Sequence, residues 1–407
     1  MINQTSSVRL GIVCCIPAVR DGEGRLICHP SIGRMLDMLR ERLPGAKLCI
    51  PVLDEPTGDL KHVLSFPRED VTELPALKSV IRSQVYYFQT RTILRRFARS
   101  VDRLFIRVPF QLPRALLGLQ TPKLLHVVAN PQQIISCSSD YRGLVRRLAL
   151  RFAEHSNATM RRLVAEPMTR VATNGEELWN LLQCRDGRVV VSSCLYQDEI
   201  RPRKNLSLGQ PPKLLFVGFL RPEKGIGDLL DAFESLRKTR PLKLTLVGGS
   251  DRASGAEAYT QERIRNSPFR EDIVATGIVD FGESLFDLYR THDVFVLPSL
   301  SEGTPRTLIE ARAFGCPVVA TRVGGIPSSV EHERTGLLVE PRDAPGLAAA
   351  IDRILTDQRL RLHLIDQGLL GSSQFTLEHF VGELVDELMM LPDTAGSVGT
   401  QLSAWAH

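Results

Sequence analysis

The feature of this chain that most constrains its fold is an alternation of short apolar runs with amphipathic segments. In the second half, KLLFVG at 213–218 has the length and composition of a buried strand. IGDLLDAFESLRK at 226–238 repeats apolar residues three and four positions apart, which is typical of a helix. KLTLVGG at 243–249 and DVFVLPS at 293–299 continue the series of strands. This alternation predicts βαβ units, a parallel sheet and helices on both of its faces.

The first half repeats the pattern less regularly, and a polar segment separates the two halves. RPRKNLSLGQPP at 201–212 has no apolar periodicity and predicts a linker. For a chain of 407 residues we therefore predict two doubly wound, Rossmann-like α/β domains that face a cleft. The predicted divisions are a first domain over 1–205, a second domain over 206–380, and a C-terminal helix and tail over 381–407. We expect that last segment to be able to pack back on the first domain.

Charge is distributed unequally between the two halves. Residues 1–205 carry 31 Lys and Arg against 19 Asp and Glu, a balance of +12, whereas residues 206–407 carry 20 against 27, a balance of −7. Opposite signs predict that the two halves meet different partners. Arginines of the first half concentrate in two stretches, which are Arg82, Arg91, Arg95, Arg96, Arg99 and Arg103, and Arg142, Arg146, Arg147, Arg151, Arg161 and Arg162.

Two interpretations of these arginine-rich stretches stay open, because apolar residues interleave with the arginines as in a helix with one basic and one apolar face. One is docking on an anionic membrane that presents a lipid-linked acceptor. The other is a pair of solvated helices that pack on their own sheet. Nucleic acid is not predicted as a partner, since the sequence contains no recognised nucleic-acid module.

The cysteines and the apolar segments exclude several classes of protein. None of the eight cysteines forms a C-x-x-C pair, which predicts buried free thiols in a reducing compartment. The apolar run at 10–18 contains Pro17 and is interpreted as a strand instead of a signal peptide. No stretch approaches the roughly 18 apolar residues that span a bilayer. We therefore expect a cytoplasmic protein, free or peripheral on the inner face of the membrane.

The strongest local signal is DVFVLPSLSEGTPRTLIEARAFGCPVVAT at 293–321. A strand leads into a loop that holds Glu302, after which Thr304 is predicted as the N-cap of a helix and Pro305 as its first residue. The free backbone N–H groups of 304–307 would then form an anion site suited to a phosphate.

Two carboxylates and one lysine complete this candidate site. Glu310 lies about 7.5 Å along the predicted helix, where the ribose of a bound nucleoside diphosphate would lie, and Glu302 would face the other end of the diphosphate. In VGFLRPEKG at 217–225, Lys224 can neutralise a diphosphate leaving group, with Arg221 beside it. The alternative is a capped surface helix with unrelated glutamates and a solvated lysine. The chain has no D-x-D pair, so no metal site is predicted.

These segments resemble retaining glycosyltransferases of family 4, which have the two-domain GT-B fold. The similarity covers roughly residues 211–356 and includes ERTGLLVEP at 333–341. It implies transfer of a sugar, with retention, from a nucleotide diphosphate sugar to a saccharide or lipid-linked acceptor, without a cofactor or a metal. Polysaccharide, lipopolysaccharide or glycolipid synthesis is the implied setting.

The resemblance also implies a role for individual residues. Glu302 matches the glutamate that contacts the transferred sugar, Lys224 the lysine that stabilises the leaving diphosphate, and Glu310 the glutamate that holds the ribose. The turn whose backbone N–H groups meet the diphosphate corresponds to Gly303, Thr304, Pro305, Arg306 and Thr307. Gly277 and Ile278 fall where the family holds the base.

The chain departs from the family pattern at two places. Phe219 stands where the family has an arginine, and Arg221 is the nearest charge that could replace it. Many relatives have a histidine at the end of a strand that here ends in Asn130, whereas His126 lies inside the strand and is interpreted as a packed histidine. Arg107, in RVP at 107–109, and Asn130 resemble a subset of relatives that lack this histidine, and both are predicted to lie on the acceptor side of the cleft.

A glycine loop is predicted after the first strand, and two alternative functions remain open. Gly22 and Gly24, in DGEGR, are predicted to form either a loop on the floor of the cleft or an ordinary flexible loop. The nearer rival is a GT-B nucleotide-sugar epimerase or a phosphorylase. The farther rival is a non-catalytic relative that binds a nucleotide sugar, an option that Phe219 and the missing histidine motivate.

Overall fold

The structure is a computed structural model that describes residues 8–54, 60–75, 86–110, 112–137, 143–249 and 256–393. The described residues do not include two of the arginines named above, Arg82 and Arg142. They also do not include residues 394–407 of the predicted tail.

A ten-stranded sheet organises the first domain. Its strands are β1 (Leu10–Val13), β2 (Ala18–Arg20), β3 (Leu26–Cys28), β4 (Lys47–Leu53), β5 (His62–Val63), β6 (Val71–Leu74), β7 (Arg103–Val108), β8 (Lys123–Val127), β9 (Thr169–Asn174) and β10 (Gly187–Val190). The parallel part runs in the order β6, β4, β1, β7, β8, β9, β10. This order reverses direction between β1 and β7, as in a doubly wound fold. A hairpin extends the sheet, because β2 pairs with the end of β4 and β3 lies antiparallel to β2 and β5.

In the described parts of this domain five helices connect the strands, and their sequences explain where they form. They are α1 (Pro30–Arg42), α2 (Tyr87–Arg99), α3 (Pro131–Cys137), α4 (Gly143–Val164) and α5 (Glu176–Leu182). In α1, Pro30 occupies the first helical position and the ring of the N-cap His29 accepts a hydrogen bond from the backbone N–H of Ser31. The buried side chains of α1 recur every three or four residues, so one face of this helix packs on the sheet.

A six-stranded parallel sheet organises the second domain. Its strands are β11 (Lys213–Val217), β12 (Lys243–Val247), β13 (Ile273–Gly277), β14 (Val294–Leu297), β15 (Val318–Thr321) and β16 (Leu337–Val339). Its helices are α6 (Ile226–Arg237), α7 (Ala256–Asn266), α8 (Glu283–Thr291), α9 (Arg306–Ala313), α10 (Ile326–Ser329), α11 (Ala344–Thr356) and α12 (Gln358–Ser372). The strand order β13, β12, β11, β14, β15, β16 reverses between β11 and β14. Ligands of such sheets bind outside the carboxyl ends of the two strands at this reversal.

A last helix, α13 (Leu377–Met389), crosses back to the first domain. Its apolar side chains, including Phe380 and Leu384, are buried in the core that α1 and β1 share. The carboxylate of Glu387, which is 1% exposed, accepts hydrogen bonds from Arg170 at 2.7 Å and Arg188 at 2.8 Å. Because the helix begins at Leu377, the division predicted at residue 380 falls inside it.

Two further expectations concern membranes and cysteines. Within the described ranges, no helix has both the length and the apolar composition needed to cross a membrane. The seven cysteines whose side chains the structure describes are free: Cys14, Cys28, Cys49, Cys194 and Cys316 are buried, and Cys15 and Cys184 are half-buried. Burial raises the pKa of the Cys14 and Cys316 thiols to about 12, so both stay protonated at neutral pH.

Candidate active site

The carboxyl ends of the two sheets enclose a cavity of about 240 Å³ that both domains line. It brings together five of the residues predicted from the sequence: Asn130, Arg221, Lys224, Glu302 and Gly303. Lys224 follows β11 and Glu302 follows β14, the two strands at which the order of the second sheet reverses. The residues that carry the predicted chemistry therefore converge where this architecture binds its ligands.

An ion pair between Lys224 and Glu302 is the central contact of the cavity. The ammonium nitrogen of Lys224 lies 2.6 Å from Oε1 of Glu302, and the hydroxyl of Ser299 donates to the same oxygen at 2.6 Å. The side chain of Glu302 is only 9% exposed, so water screens this pair weakly. An ammonium group at this place can bind an anionic leaving group, and the carboxylate beside it can bind a sugar hydroxyl.

The helix after this loop begins one residue later than the sequence predicts. Pro305 is the N-cap of α9 and Arg306 its first residue, so Thr304 does not cap the helix. Thr304 is 8% exposed, and among the described residues its buried hydroxyl has no hydrogen-bond partner. The reason is its packing, because its Oγ1 lies against Gly175 of the first domain and Gly325 of the second.

Two glycines after β15 hold the loop that carries Glu302. Gly324 has a φ of +54°, and a Cβ placed on it would lie 1.8 Å from the carbonyl oxygen of Glu302. The next residue, Gly325, donates its backbone N–H to the carbonyl of Gly303 at 2.9 Å. Gly303 itself approaches the first domain, since a Cβ there would lie 3.3 Å from the carbonyl oxygen of Val128. Larger side chains at these positions would separate the two walls of the cavity.

Glu310 lies behind the cavity and does not line it. Its side chain is 5% exposed, and its Oε2 accepts a hydrogen bond from the hydroxyl of Tyr289 at 2.8 Å. Burial raises the pKa of this carboxyl, while Arg306 and the Tyr289 hydroxyl act in the opposite direction. The guanidinium of Arg306, a half-buried residue, donates to the sulfur of Cys194, in the segment between the domains, at 2.5 Å.

Three other predicted donor-binding residues lie near the same edge of the second sheet but outside the cavity. Thr307 is in the first turn of α9 and is half-buried. Gly277 ends β13, and Ile278 follows it with 63% of its surface exposed. A Cβ on Gly249, at the end of the neighbouring strand, would touch the side chain of Ile278.

Phe219 and Arg221 form one stacked unit on the wall of the cavity. Phe219 is 53% exposed, and the guanidinium carbon of Arg221 lies 4.7 Å from the centre of its ring. This distance is within the range of a cation–π contact. The aromatic residue at 219 thus positions the charge that follows two residues later.

The first domain contributes Asn130 to the cavity, but the other residues predicted there lie elsewhere. Gly22 and Gly24 are in the exposed turn of the β2–β3 hairpin, not on the floor of the cleft. The Asp21 carboxylate closes this turn by accepting hydrogen bonds from the backbone N–H groups of Glu23 and Arg25. Arg107 is half-buried on β7 and does not line the cavity.

Arg107 lies in register with His126 of β8. His126 is 1% exposed, as predicted for a packed histidine. Arg103 departs from the predicted basic face, because it is buried on β7 and its guanidinium donates to the Leu388 carbonyl and to the Asp393 carboxylate.

Several residues in or beside the cavity were not predicted from the sequence. Asn174 and Glu177, on either side of the start of α5, line it from the first domain. Ser299 orients Glu302, and Gly325 supports the loop. The VGG sequence after β15 was a usable signal for the last of these, because paired glycines mark a close approach of backbones. Within the described ranges, no cluster of three or more His, Cys, Asp or Glu side chains could hold a metal ion.

The second domain of this chain is similar to a known protein family. Residues 211–357 match the family model of glycosyl transferases group 1. The chain is also 32% identical over 204 residues to the D-inositol 3-phosphate glycosyltransferase of Arthrobacter sp. (strain FB24), an alignment that covers 47% of this chain and 48% of that protein. The chain thus spans about half the length of this curated relative.

Solved structures are similar over nearly the whole chain. Sucrose-phosphate synthase from Thermosynechococcus elongatus superposes with a TM-score of 0.71 at 20% identity and covers 94% of this chain and 99% of its own. Anabaena Alr3699/HepE in complex with UDP-glucose superposes with a TM-score of 0.64 at 15% identity and covers 94% and 99%. These likenesses show the fold alone, and the predicted fold class, two Rossmann-like domains in the GT-B arrangement, is confirmed.

Proposed function

We propose that this protein is a retaining glycosyltransferase of family 4 that moves a sugar from a nucleoside diphosphate sugar to an acceptor. The observation that carries the proposal is the Lys224–Glu302 ion pair, which lies in a cavity between the domains and within the segment that matches group 1 glycosyltransferases. The names of the relatives, which include an inositol phosphate glycosyltransferase and a glycogen synthase, support the same class of reaction.

In this proposal the diphosphate lies between Lys224 and the N-terminus of α9. Lys224 exchanges its partner Glu302 for the diphosphate as negative charge develops on the leaving group. Arg221 supplies a second positive charge from the same wall. The backbone N–H groups at the start of α9 complete the anion site, so the reaction proceeds without a metal.

In this proposal the carboxylates of Glu302 and Glu310 bind different parts of the donor. Glu302 accepts hydrogen bonds from hydroxyls of the transferred sugar, and Ser299 keeps the carboxylate oriented toward it. Glu310 holds the ribose after Tyr289 or the helix moves enough to expose it, since the carboxylate is buried without a ligand. Gly277 and Ile278 lie further along the same edge, where the base would extend. The acceptor enters from the first domain.

The test is a transfer assay with a panel of UDP-, GDP- and ADP-sugars that measures both release of nucleoside diphosphate and incorporation of the sugar into product. We expect Glu302→Ala and Lys224→Ala to lose about 100-fold or more in kcat. Exposed residues away from the cavity, Lys243 and Glu271, provide matched controls in Lys243→Ala and Glu271→Ala. Unchanged activity in both site variants would refute the assignment.

Three other results, in this assay or in one supplied with phosphate and a glycoside, would select another function. Turnover of the nucleotide sugar without an acceptor would favour an epimerase, and phosphate-dependent cleavage of a glycoside would favour a phosphorylase. Tight donor binding without turnover over all acceptors would favour a non-catalytic relative. The anomeric proton signal of the product, observed by NMR, tests retention.

We further propose that the first domain contacts an anionic membrane surface, where a lipid-linked acceptor would be presented. At the start of α4 the side chains of Leu144, Val145 and Leu148 are 57 to 68% exposed. Exposed arginines accompany them, which are Arg146, Arg147 and Arg151. Apolar contact with the acyl chains and attraction to anionic headgroups would then act together.

The test is sedimentation with vesicles of phosphatidylcholine alone or mixed with phosphatidylglycerol. We expect binding to the mixed vesicles only, and we expect Leu144→Ser with Leu148→Ser to abolish it. Leu370, which is 71% exposed in the second domain, supplies the control Leu370→Ser. Equal binding by all variants would contradict the proposed surface.

A further inference from the structure

A histidine buried under the first-domain wall of the cavity has no part in the reaction described so far. The ring of His126 lies between Phe105 and Phe380, with ring centres 5.8 and 5.4 Å away. Its Nε2 lies 3.1 Å from Oδ1 of Asn174, whereas in the described part of the chain its buried Nδ1 has no hydrogen-bond partner. Burial, with a smaller effect of Arg107, lowers the pKa of His126 to about 3. The imidazole is therefore neutral and carries one proton.

The surroundings of the ring determine which nitrogen carries this proton. A proton on Nδ1 would leave a buried N–H donor without an acceptor, which is costlier than an acceptor without a donor. A proton on Nε2 points at Oδ1 of Asn174 and is used. His126 is therefore a fixed donor to the oxygen of the Asn174 carboxamide.

This donor orients Asn174 toward the cavity. Its Oδ1 also accepts a hydrogen bond from the hydroxyl of Ser192 at 2.8 Å, so two donors occupy the oxygen. Asn174 is 7% exposed and lines the cavity. Because the oxygen faces His126 and Ser192, the amide nitrogen and its two N–H groups are the part that faces the cavity.

A second carboxamide on the same wall is oriented in the same manner. Oδ1 of Asn130 accepts the backbone N–H of Gln132 at 3.0 Å and the side-chain amide of Asn157 at 3.0 Å. A backbone N–H can only donate, so the oxygen position of Asn130 is determined. Its amide nitrogen is then free to face the cavity that Asn130 lines. The wall opposite Lys224 and Glu302 thus presents the N–H groups of two neutral amides.

We propose that Asn130 and Asn174 form an amide pair that donates hydrogen bonds to hydroxyl oxygens of a sugar ring held against Glu302, with His126 as a positioning residue for Asn174. A sugar hydroxyl suits this site because it accepts from an amide N–H on one side and donates to a carboxylate on the other. The inference rests on the proposed function, since it requires a nucleoside diphosphate sugar in the cavity. It assigns recognition of the sugar, and not of the diphosphate, to the first domain.

The experiment compares the affinities for UDP and UDP-glucose, and for GDP and GDP-mannose, by calorimetry, using whichever pair the wild-type protein binds more tightly. The dissociation constant of the nucleoside diphosphate divided by that of its sugar ester gives the contribution of the sugar to binding. We expect Asn174→Ala and Asn130→Ala each to reduce this ratio roughly 3- to 10-fold, as the loss of one hydrogen bond implies. The dissociation constant of the diphosphate alone should stay unchanged. Asn180, exposed on α5, supplies the control Asn180→Ala.

The positioning role of His126 has its own variants. We expect His126→Leu to reproduce the loss seen in Asn174→Ala, and the double variant to lose no more than either. His126→Gln should restore part of the sugar contribution, because its amide N–H can again donate to Asn174. A purely structural role would lower the affinity for the diphosphate and for its sugar ester together. NMR of ¹⁵N-labelled histidine should place the proton of His126 on Nε2.

The outcomes separate this inference from the proposed function. Suppose that the wild-type protein binds both ligands and transfers sugar, and that the sugar contributes as much to donor affinity in Asn174→Ala and Asn130→Ala as in wild type. The amide pair is then refuted, and the proposed function is retained. If the wild-type protein binds neither ligand of either pair, both fall. A proton found on Nδ1 of His126 would overturn the orientation of Asn174 regardless of activity.

Discussion

The burial of a neutral His126 predicts a specific dependence of stability on pH. Its pKa is about 3 in the folded protein against 6.5 for a histidine exposed to water, so the unfolded chain takes up the proton first as the pH falls. The folded state binds almost no proton at pH 5, whereas the unfolded state binds nearly one. Stability contributed by this residue is therefore complete at pH 8 and decreases below about pH 6.5.

The magnitude follows from the two pKa values. Between pH 8 and pH 5 the contribution of His126 to the free energy of unfolding falls by about 2 kcal/mol. The reason is that 1.5 pH units separate pH 5 from the pKa in the unfolded chain, and each unit corresponds to about 1.4 kcal/mol. Full burial means that solvent does not reduce this figure, since the side chain is 1% exposed. Carboxylates titrate in the same interval, so the effect is measured as a difference between the wild-type protein and His126→Leu.

Urea unfolding followed by tryptophan fluorescence is the appropriate assay, because Trp179 lies on α5 in the same domain. We expect the free energy of unfolding of wild type to fall by about 2 kcal/mol more than that of His126→Leu between pH 8 and pH 5. The control is Val127→Ala, at a fully buried neighbour, which should lower stability equally at both pH values. Parallel pH profiles for wild type and His126→Leu would refute the neutral buried histidine.

Three further predictions test the packing of the site and of the domains. Gly324→Ala should destabilise the protein by more than about 2 kcal/mol and abolish donor binding, because its Cβ would lie 1.8 Å from the Glu302 carbonyl oxygen. The control Gly371→Ala, at an open helical position, should do neither. Melting curves measure the stability of the two variants and calorimetry measures their donor binding. Arg312→Met should raise stability by about 1 kcal/mol or more in urea unfolding, because burial lowers the pKa of this guanidinium to about 10 and no described carboxylate pairs with it. Glu387→Ala should cost about 2 kcal/mol in the same assay, because it takes the carboxylate from Arg170 and leaves Arg188 with its 3.5 Å contact to Glu383 under α13.

Other results would contradict each of these. A Gly324→Ala protein with normal donor affinity would show that the loop does not depend on the glycine. A less stable Arg312→Met protein would mean that the contact of Arg312 with Phe375 outweighs the cost of its burial. An unchanged Glu387→Ala protein would remove the ion pairs as a reason for the position of α13.

The general architecture could be predicted because strands buried on both faces of a parallel sheet are continuous apolar runs. KLLFVG and DVFVLPS contain the strands β11 and β14. The residues that follow the two strands line one cavity, because neighbouring parallel strands end at the same edge of a sheet. The convergence of Lys224 and Glu302 was therefore accessible from local sequence and strand order alone.

The remainder depends on packing that sequence spacing does not encode. The hairpin of β2 and β3 forms because the Asp21 carboxylate closes its turn, so its glycines lie away from the cleft. Thr304 is a favourable N-cap by type, but it packs between glycines of both domains instead. Asn174 could not be identified because its orientation depends on His126, 48 positions earlier in the chain.

The central claim is that Lys224 and Glu302 act as one unit on a nucleoside diphosphate sugar in the cleft. The most direct test is the single-turnover rate of sugar transfer in wild type, Lys224→Ala, Glu302→Ala and the double variant, with the donor that binds most tightly. We expect each single variant to lose about 100-fold or more and the double variant to be hardly slower than either, because residues that act together are not additive. Wild-type rates in either single variant, or fully additive losses in the double variant, would contradict this claim.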